Sequence, residues 1–307
     1  MLKKDDMTAT LARSITWAGS KQTFFVGYFM VDRNLVNDFF RSYAYFRWID
    51  DIVDVSVKSK EDSIIFIRRQ RELIEFLYMN KPLSNLSQEE EMMADLIRHD
   101  KTENSRLKSF IFNMLAIIEF DSNRKGRSIN QQELEWYSNT LGKSVTDGLQ
   151  YFINNNYTYP ITDNRLSAAL GAHITHLLRD MLIDIDDGFI NIPHEYMEIR
   201  GNGTKEVESL FFRSWVKSRV ELARYYFDEG KCYLDELDVL RCKVVGYWYC
   251  ARFESVLDTI SRDNFILRSN YQERRNFSTM LKIVWLGFYI TFRHIKTQTL
   301  RYLKVGQ

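Results

Sequence analysis

Two pairs of aspartates, each pair one helical turn apart, are the residues of this chain best placed to do chemistry. In the string Tyr43-Ala44-Tyr45-Phe46-Arg47-Trp48-Ile49-Asp50-Asp51-Ile52-Val53-Asp54, Asp50 and Asp54 stand at i and i+4 and share one helix face, with Tyr43 and Arg47 upstream on it. Two carboxylates at that spacing repel, at about 0.2–0.5 kcal/mol. Phe46, Trp48, Ile49, Ile52 and Val53 make the surroundings apolar, so an ordinary solvated face is a poor account of the pair. A divalent cation would remove the conflict, and oxygen ligands on a helix suit Mg²⁺, which keeps several waters and bridges to phosphate oxygens. The second pair is Asp180 and Asp184, in His173-Ile174-Thr175-His176-Leu177-Leu178-Arg179-Asp180-Met181-Leu182-Ile183-Asp184-Ile185-Asp186-Asp187-Gly188. Arg179 precedes Asp180 much as Arg47 precedes Asp50, and His173 and His176 extend the stripe. A lone Asp-x-x-x-Asp is commonly a surface feature; two on apolar helices, each with an Arg within a turn, point to function.

The elements that must carry these residues are helices. Periodicity of 3.6 residues recurs over 35–56, 62–79, 87–99, 106–122, 131–153, 165–187, 206–235, 238–261 and 275–303, separated by polar breaks such as Asn80-Lys81-Pro82 and Gly201-Asn202-Gly203. No segment alternates with period 2 at strand spacing. Only 3 Pro occur in 307 residues, in keeping with an all-α bundle. With no linker and no repeat, one domain over 1–307 is expected, residues 1–15 being a loosely ordered N-terminus.

Charge and cysteine content narrow the function classes. Lys and Arg number 42 against 41 Asp and Glu, which is not the basic balance of a nucleic-acid binder. Cys232, Cys242 and Cys250 show no Cys-x-x-Cys spacing, so neither a disulfide framework nor a zinc site is expected. Di-iron sites in bundles use Glu-x-x-His, and none of the five His has Glu three positions before it. His173-x-x-His176 keeps a transition metal open. The first residues lack the apolar stretch of a secretory signal, so a cytoplasmic protein is expected. The apolar run Ile283–Phe292 is too short to span a bilayer and reads as a buried helix, or as one resting on a membrane surface.

The two acidic strings resemble the Asp-rich motifs of the squalene/phytoene synthase family of head-to-head prenyl transferases. Tyr43-x-x-x-Arg47-x-x-Asp50-Asp51-x-x-Asp54 is similar to the first motif; Leu178-Arg179-Asp180-x-x-x-Asp184, followed by Gly188-Phe189-Ile190-Asn191-Ile192-Pro193, is similar to the second and its trailing loop. Ser20-Lys21-Gln22-Thr23-Phe24 resembles the family's N-terminal diphosphate-binding stretch with one extra residue; Glu119-Phe120-Asp121 and Glu133-Leu134-x-x-Tyr137 resemble the approach to its central helix. The likeness runs from about Thr16 to about Val284. It implies an all-α isoprenoid-synthase-type bundle with a central active-site cavity. Asp50, Asp54, Asp180 and Asp184 would hold Mg²⁺ (or Mn²⁺), with Asp51 and His176 as further candidate ligands. Arg47, Arg179, Lys21 and Thr23 would bind diphosphate, and Tyr43 and Tyr137 would join the catalytic set. Farnesyl or geranylgeranyl diphosphate is the implied substrate. A monomer is expected, the apolar run 283–292 offering peripheral membrane contact as the alternative to burial.

The chemistry follows from charge. Diphosphate leaves an allylic carbon once its charge is neutralised, which metal ions and Arg can do. The allylic cation must then be shielded from water, and aromatic faces can cradle it. Squalene as the product would also need NADPH. The sequence departs from the family pattern at His176 and His173, where Asn and Gln are usual, at Lys143 and Thr146, where small residues are usual, and at Phe253, where Tyr is usual. These departures motivate a second reading, a terpene synthase ionising a single diphosphate. A third reading is a non-catalytic assembly protein, which would be expected to have lost its metal ligands.

Overall fold

Polar side chains at the helix starts fix where the chain turns. Ser20 Oγ accepts the Thr23 N–H at 3.2 Å, Ser59 Oγ that of Asp62 at 3.1 Å and Ser87 Oγ that of Glu90 at 3.1 Å. At Ser87 the bond is reciprocal, because its own N–H donates to Glu90 Oε2 at 2.9 Å. Asn130 and Glu133 form the same box, at 2.7 and 3.0 Å. Each cap satisfies an N–H that the first helical turn leaves without an intrahelical partner and is worth about 1 kcal/mol.

The computed structural model describes residues 4–53, 59–100, 105–154, 156–193, 210–271 and 277–305. Among them are the helices α1 (Lys4–Gly19), α2 (Lys21–Phe29), α3 (Val36–Asp51), α4 (Lys60–Tyr78), α5 (Gln88–His99), α6 (Arg106–Arg124), α7 (Gln131–Phe152), α8 (Ser167–Asp186), α9 (Leu210–Glu236), α10 (Leu240–Arg262) and α11 (Phe277–Val305). A short 3₁₀ turn, Asp163–Leu166, leads into α8. The all-α reading holds, and the expected helices correspond to α3–α11 within a few residues at most ends. The helix expected to reach residue 56 is described only to Val53, α3 being followed by a π turn at Ile52 and Val53. Asp54 lies outside the described residues.

Three expectations are corrected. Of residues 1–15, expected to be loosely ordered, those from Lys4 onward form α1, with Thr8, Ala9 and Ala12 buried. Tertiary contacts hold this helix, which the polar sequence alone does not announce. Second, a parallel pair, β1 (Ser128–Ile129) and β2 (Ile190–Pro193), joins Ser128 to Ile190 and Ile129 to Pro193; strands of two and four residues are too short for alternation to register. Third, Ile283–Phe292 is not a buried helix: within it Gly287 and Ile290 are buried, while Trp285, Phe288, Tyr289 and Phe292 are exposed.

The chain divides into two compact units, residues 1–124 with 143–155, and 125–142 with 156–307. In the first, α3 supplies Tyr45, Phe46 and Ile49 to a core shared with Ile67 and Ile74 of α4, Met93 and Leu96 of α5, and Leu107 and Ile111 of α6. A second cluster joins Ala12 of α1 to Phe40 and Ala44 of α3 and Met92 of α5. With these faces buried, α3 leaves Arg47, Asp50 and Asp51 exposed.

In the second unit α8 and α9 approach through glycine. A Cβ at Gly230 would lie 2.5 Å from the Ala168 nitrogen and 2.7 Å from its Cα; one at Gly171 would lie 2.9 Å from the Ala223 carbonyl oxygen. Backbone cannot move aside as a side-chain end can, so Gly230→Ala must push the helices apart. Such overpacking costs about 1–3 kcal/mol, and thermal denaturation should show a lowered Tm for Gly230→Ala against an unchanged one for an exposed control on the same helix such as Glu221→Ala.

Candidate active site

The first acidic helix carries its polar groups on a face that the core does not use. Arg47 reaches Asp51, one turn on, at 2.6 Å, both side chains being about half exposed. An ion pair that wet is worth about 0–1 kcal/mol, so Arg47 can exchange Asp51 for an anionic ligand at little cost. The hydrogen bond that Arg47 donates to Asp51 is the main reason the Arg47 pKa is raised. Asp50 is exposed beside it.

The turn from α1 to α2 closes on the same helix. Gly19 lies against Tyr43 so tightly that a Cβ there would come within 2.9 Å of the Tyr43 oxygen. Ser20 Oγ and Thr23 Oγ1 are 2.8 Å apart, and the Lys21 ammonium sits 5.5 Å from the centre of the Trp17 ring. Burial, foremost, pushes the Tyr43 pKa up; Arg47 opposes it, Asp50 and Asp51 add to it, and a hydrogen bond with Ser20 works against it. Ser20, Thr23, Tyr43, Arg47 and Asp50 therefore belong to one neighbourhood, formed where the α2 cap meets the middle of α3.

The second acidic helix is more tightly wired. Asp180 accepts from Arg179 Nε at 2.6 Å and from a second Arg179 nitrogen, while His176 Nε2 lies 2.8 Å from its other oxygen. Partial burial alone would raise the Asp180 pKa, but Arg179 and His176 outweigh it and hold the carboxyl below the usual carboxylate range. One turn on, Asp184 Oδ2 accepts from Asn191 Nδ2 at 2.7 Å. Asn191 was not among the expected site residues. It arrives because Gly188, at φ +88°, ends α8 in the left-handed region. Gly188 and Phe189 N–H then bond back to the Ile185 and Asp184 carbonyls at 3.1 and 2.6 Å, and the chain returns as β2 beside its own helix. The Asp-Gly helix stop was the signal that could have found it.

Tyr137 of α7 is buried with its ring edge-on to His173, centroids 4.9 Å apart, and His176 lies 6.5 Å from Phe253 of α10. Three departures from the family pattern are thus set among these rings: His173 against Tyr137, and His176 near Phe253. Of the other two, Lys143 is exposed and Thr146 buried. Glu119 pairs with Arg71 at 2.7 Å, Asp121 with Arg124 at 2.6 Å, and Glu133 with Arg127 at 2.7 Å, so all three have structural roles.

Hard oxygen donors within reach of solvent, Asp50 in the first unit and Asp180 and Asp184 in the second, are each of the kind that suits a cation retaining water ligands. Among the described residues, which leave out Asp54, no group of three His, Cys, Asp or Glu side chains is already gathered as a metal site.

The family model for squalene/phytoene synthase matches residues 18–280. The structure is similar to that of squalene synthase HpnC from Alicyclobacillus acidocaldarius, with a TM-score of 0.67 and 16% identity over 87% of this chain and 98% of that one. It is equally similar to a dehydrosqualene synthase in complex with ligand, with a TM-score of 0.67 and 15% identity over 95% and 98%. At such identity the likeness shows the fold. No curated protein matches the sequence.

Proposed function

The chain belongs to the squalene/phytoene synthase family of prenyltransferase-type enzymes, and we propose that it condenses two allylic isoprenoid diphosphates head to head after Mg²⁺-dependent ionisation of one of them. The observation that carries this reading is the second acidic helix, where Asp180 is kept ionised by Arg179 and His176 and Asp184 is oriented by Asn191.

Asp50, Asp180 and Asp184, with Asp54 from the sequence, are the residues that would hold Mg²⁺. Bound there, the metal would supply positive charge to the departing diphosphate. The chain's own groups do the remainder. Arg47 leaves its weak pair with Asp51 for diphosphate oxygens, and Lys21 and Thr23 add donors from the start of α2. Arg179, bound to Asp180, fixes the carboxylate's direction and presents positive charge beside it. Tyr137, with His173 packed edge-to-face against it, is the aromatic side chain whose ring face would be offered to a cationic hydrocarbon. No covalent protein nucleophile takes part; the double bond of the second diphosphate ester supplies the electron pair.

The test is incubation of the purified protein with Mg²⁺ and farnesyl or geranylgeranyl diphosphate, with and without NADPH, followed by gas chromatography–mass spectrometry before and after phosphatase treatment. A product of two prenyl units, absent from Asp50→Ala/Asp180→Ala, is expected. A single-unit hydrocarbon or alcohol would replace this reading with a terpene synthase; no turnover and no Mg²⁺-dependent diphosphate binding would leave an assembly protein.

A further inference from the structure

A row of exposed apolar side chains in the second unit lies along α11. Trp285, Phe288 and Phe292 are 69%, 67% and 70% exposed, and Leu281, Tyr289 and Ile295 each exceed half. Positions 281, 285, 288, 292 and 295 advance by four and three residues, so they form one stripe along a helix rather than scattered side chains. The opposite side of α11 is the packed one: Ile290 is buried, and Gly287 lies so close to Trp248 that a Cβ would come within 2.9 Å of its ring. The stripe is therefore the outward face of a docked helix.

Charge says what that face suits. The 29 residues of α11 include no Asp or Glu, and the exposed Lys282 and Lys296 stand within a turn of the stripe near either end. Trp and Tyr at its edge are side chains that favour the boundary between hydrocarbon and water. No helix among the described residues is long and apolar enough to cross a membrane, so the helix would lie on a bilayer instead of spanning it. We propose that α11 docks the protein on the surface of an anionic lipid bilayer, its aromatic stripe entering the headgroup boundary and its lysines pairing with lipid phosphates. A second copy of this chain would meet the same stripe with like charge.

The experiment is flotation of the full chain with phosphatidylcholine vesicles, with and without phosphatidylglycerol, at low and high salt. Binding is expected on the anionic vesicles and should weaken with salt. The triple variant Trp285→Ser/Phe288→Ser/Phe292→Ser should lose about a hundredfold in partitioning, as three large apolar side chains leave the contact. Lys282→Glu/Lys296→Glu, which spares the apolar stripe, should lose about tenfold or more on anionic vesicles and little on neutral ones. Circular dichroism would verify that both variants remain folded. Failure of the native chain to float with anionic vesicles would overturn the proposal, as would binding that neither variant changes. So would a concentration-dependent dimer, broken by the triple variant, in a chain that does not float.

Discussion

Asp180→Asn should abolish turnover almost completely while leaving the fold intact. The amide keeps the shape of the carboxylate but not its charge, so it neither attracts a divalent cation nor anchors Arg179 and His176. Losing one preorganised electrostatic contact of this kind costs about a hundred- to a thousandfold in rate, and here the proposed metal ligand and the orientation of Arg179 go together. Diphosphate release measured under saturating Mg²⁺ should fall by about a thousandfold or more, with an unchanged circular dichroism spectrum. A variant as active as the native enzyme would remove Asp180 from the site. The same residue has a signature in the metal-free protein. Its folded pKa is depressed, so its stabilisation is complete above the unfolded value of about 3.9 and is lost as pH falls toward the folded value. The stabilities of the native protein and Asp180→Asn should therefore begin to converge below about pH 4 and draw together progressively as the pH falls further.

Arg41→Met should be the most destabilising single change in the first unit. Arg41 is 1% exposed and ties three segments together. Its guanidinium donates to Asp38 Oδ1 at 2.6 Å, to the Asp5 carbonyl and carboxylate at 2.6 Å each, and to Thr8 Oγ1 at 3.1 Å. Thr8 donates onward to Asp95 Oδ2 at 2.7 Å, and His99 Nδ1 sits 3.0 Å from Asp38. Removing the cation strands the buried Asp38 carboxylate and the polar groups of α1. Breaking a buried pair by taking away one partner costs about 3–5 kcal/mol, measurable as a shift in the urea midpoint with an unchanged slope. Because the network fastens α1, and the α1–α2 turn presses on Tyr43, proteolysis of the N-terminal helix should accelerate in the same variant.

The helical fold was legible because its signals are local. Periodicity of 3.6 residues, polar breaks and scarce proline predict helices at α3 through α11 with no knowledge of what they touch. The acidic pairs and their arginines were legible for the same reason, since i, i+4 spacing is itself a statement of geometry once the helix is granted.

What escaped were the features that a distant partner creates. α1 is a polar segment whose helix depends on Arg41, Asp38 and Asp95, contributed by two other helices. Asn191 reaches Asp184 only because Gly188 reverses the chain, and His173 meets Tyr137 across the gap between α8 and α7. The apolar run in α11 was visible in the sequence, but its composition fits a buried or an exposed helix equally well. Periodicity and spacing determined the elements and which residues share a face, because both are fixed by the helix itself. Tertiary structure decided which faces are covered and which partner each charge takes, because burial and pairing depend on residues brought near only by folding.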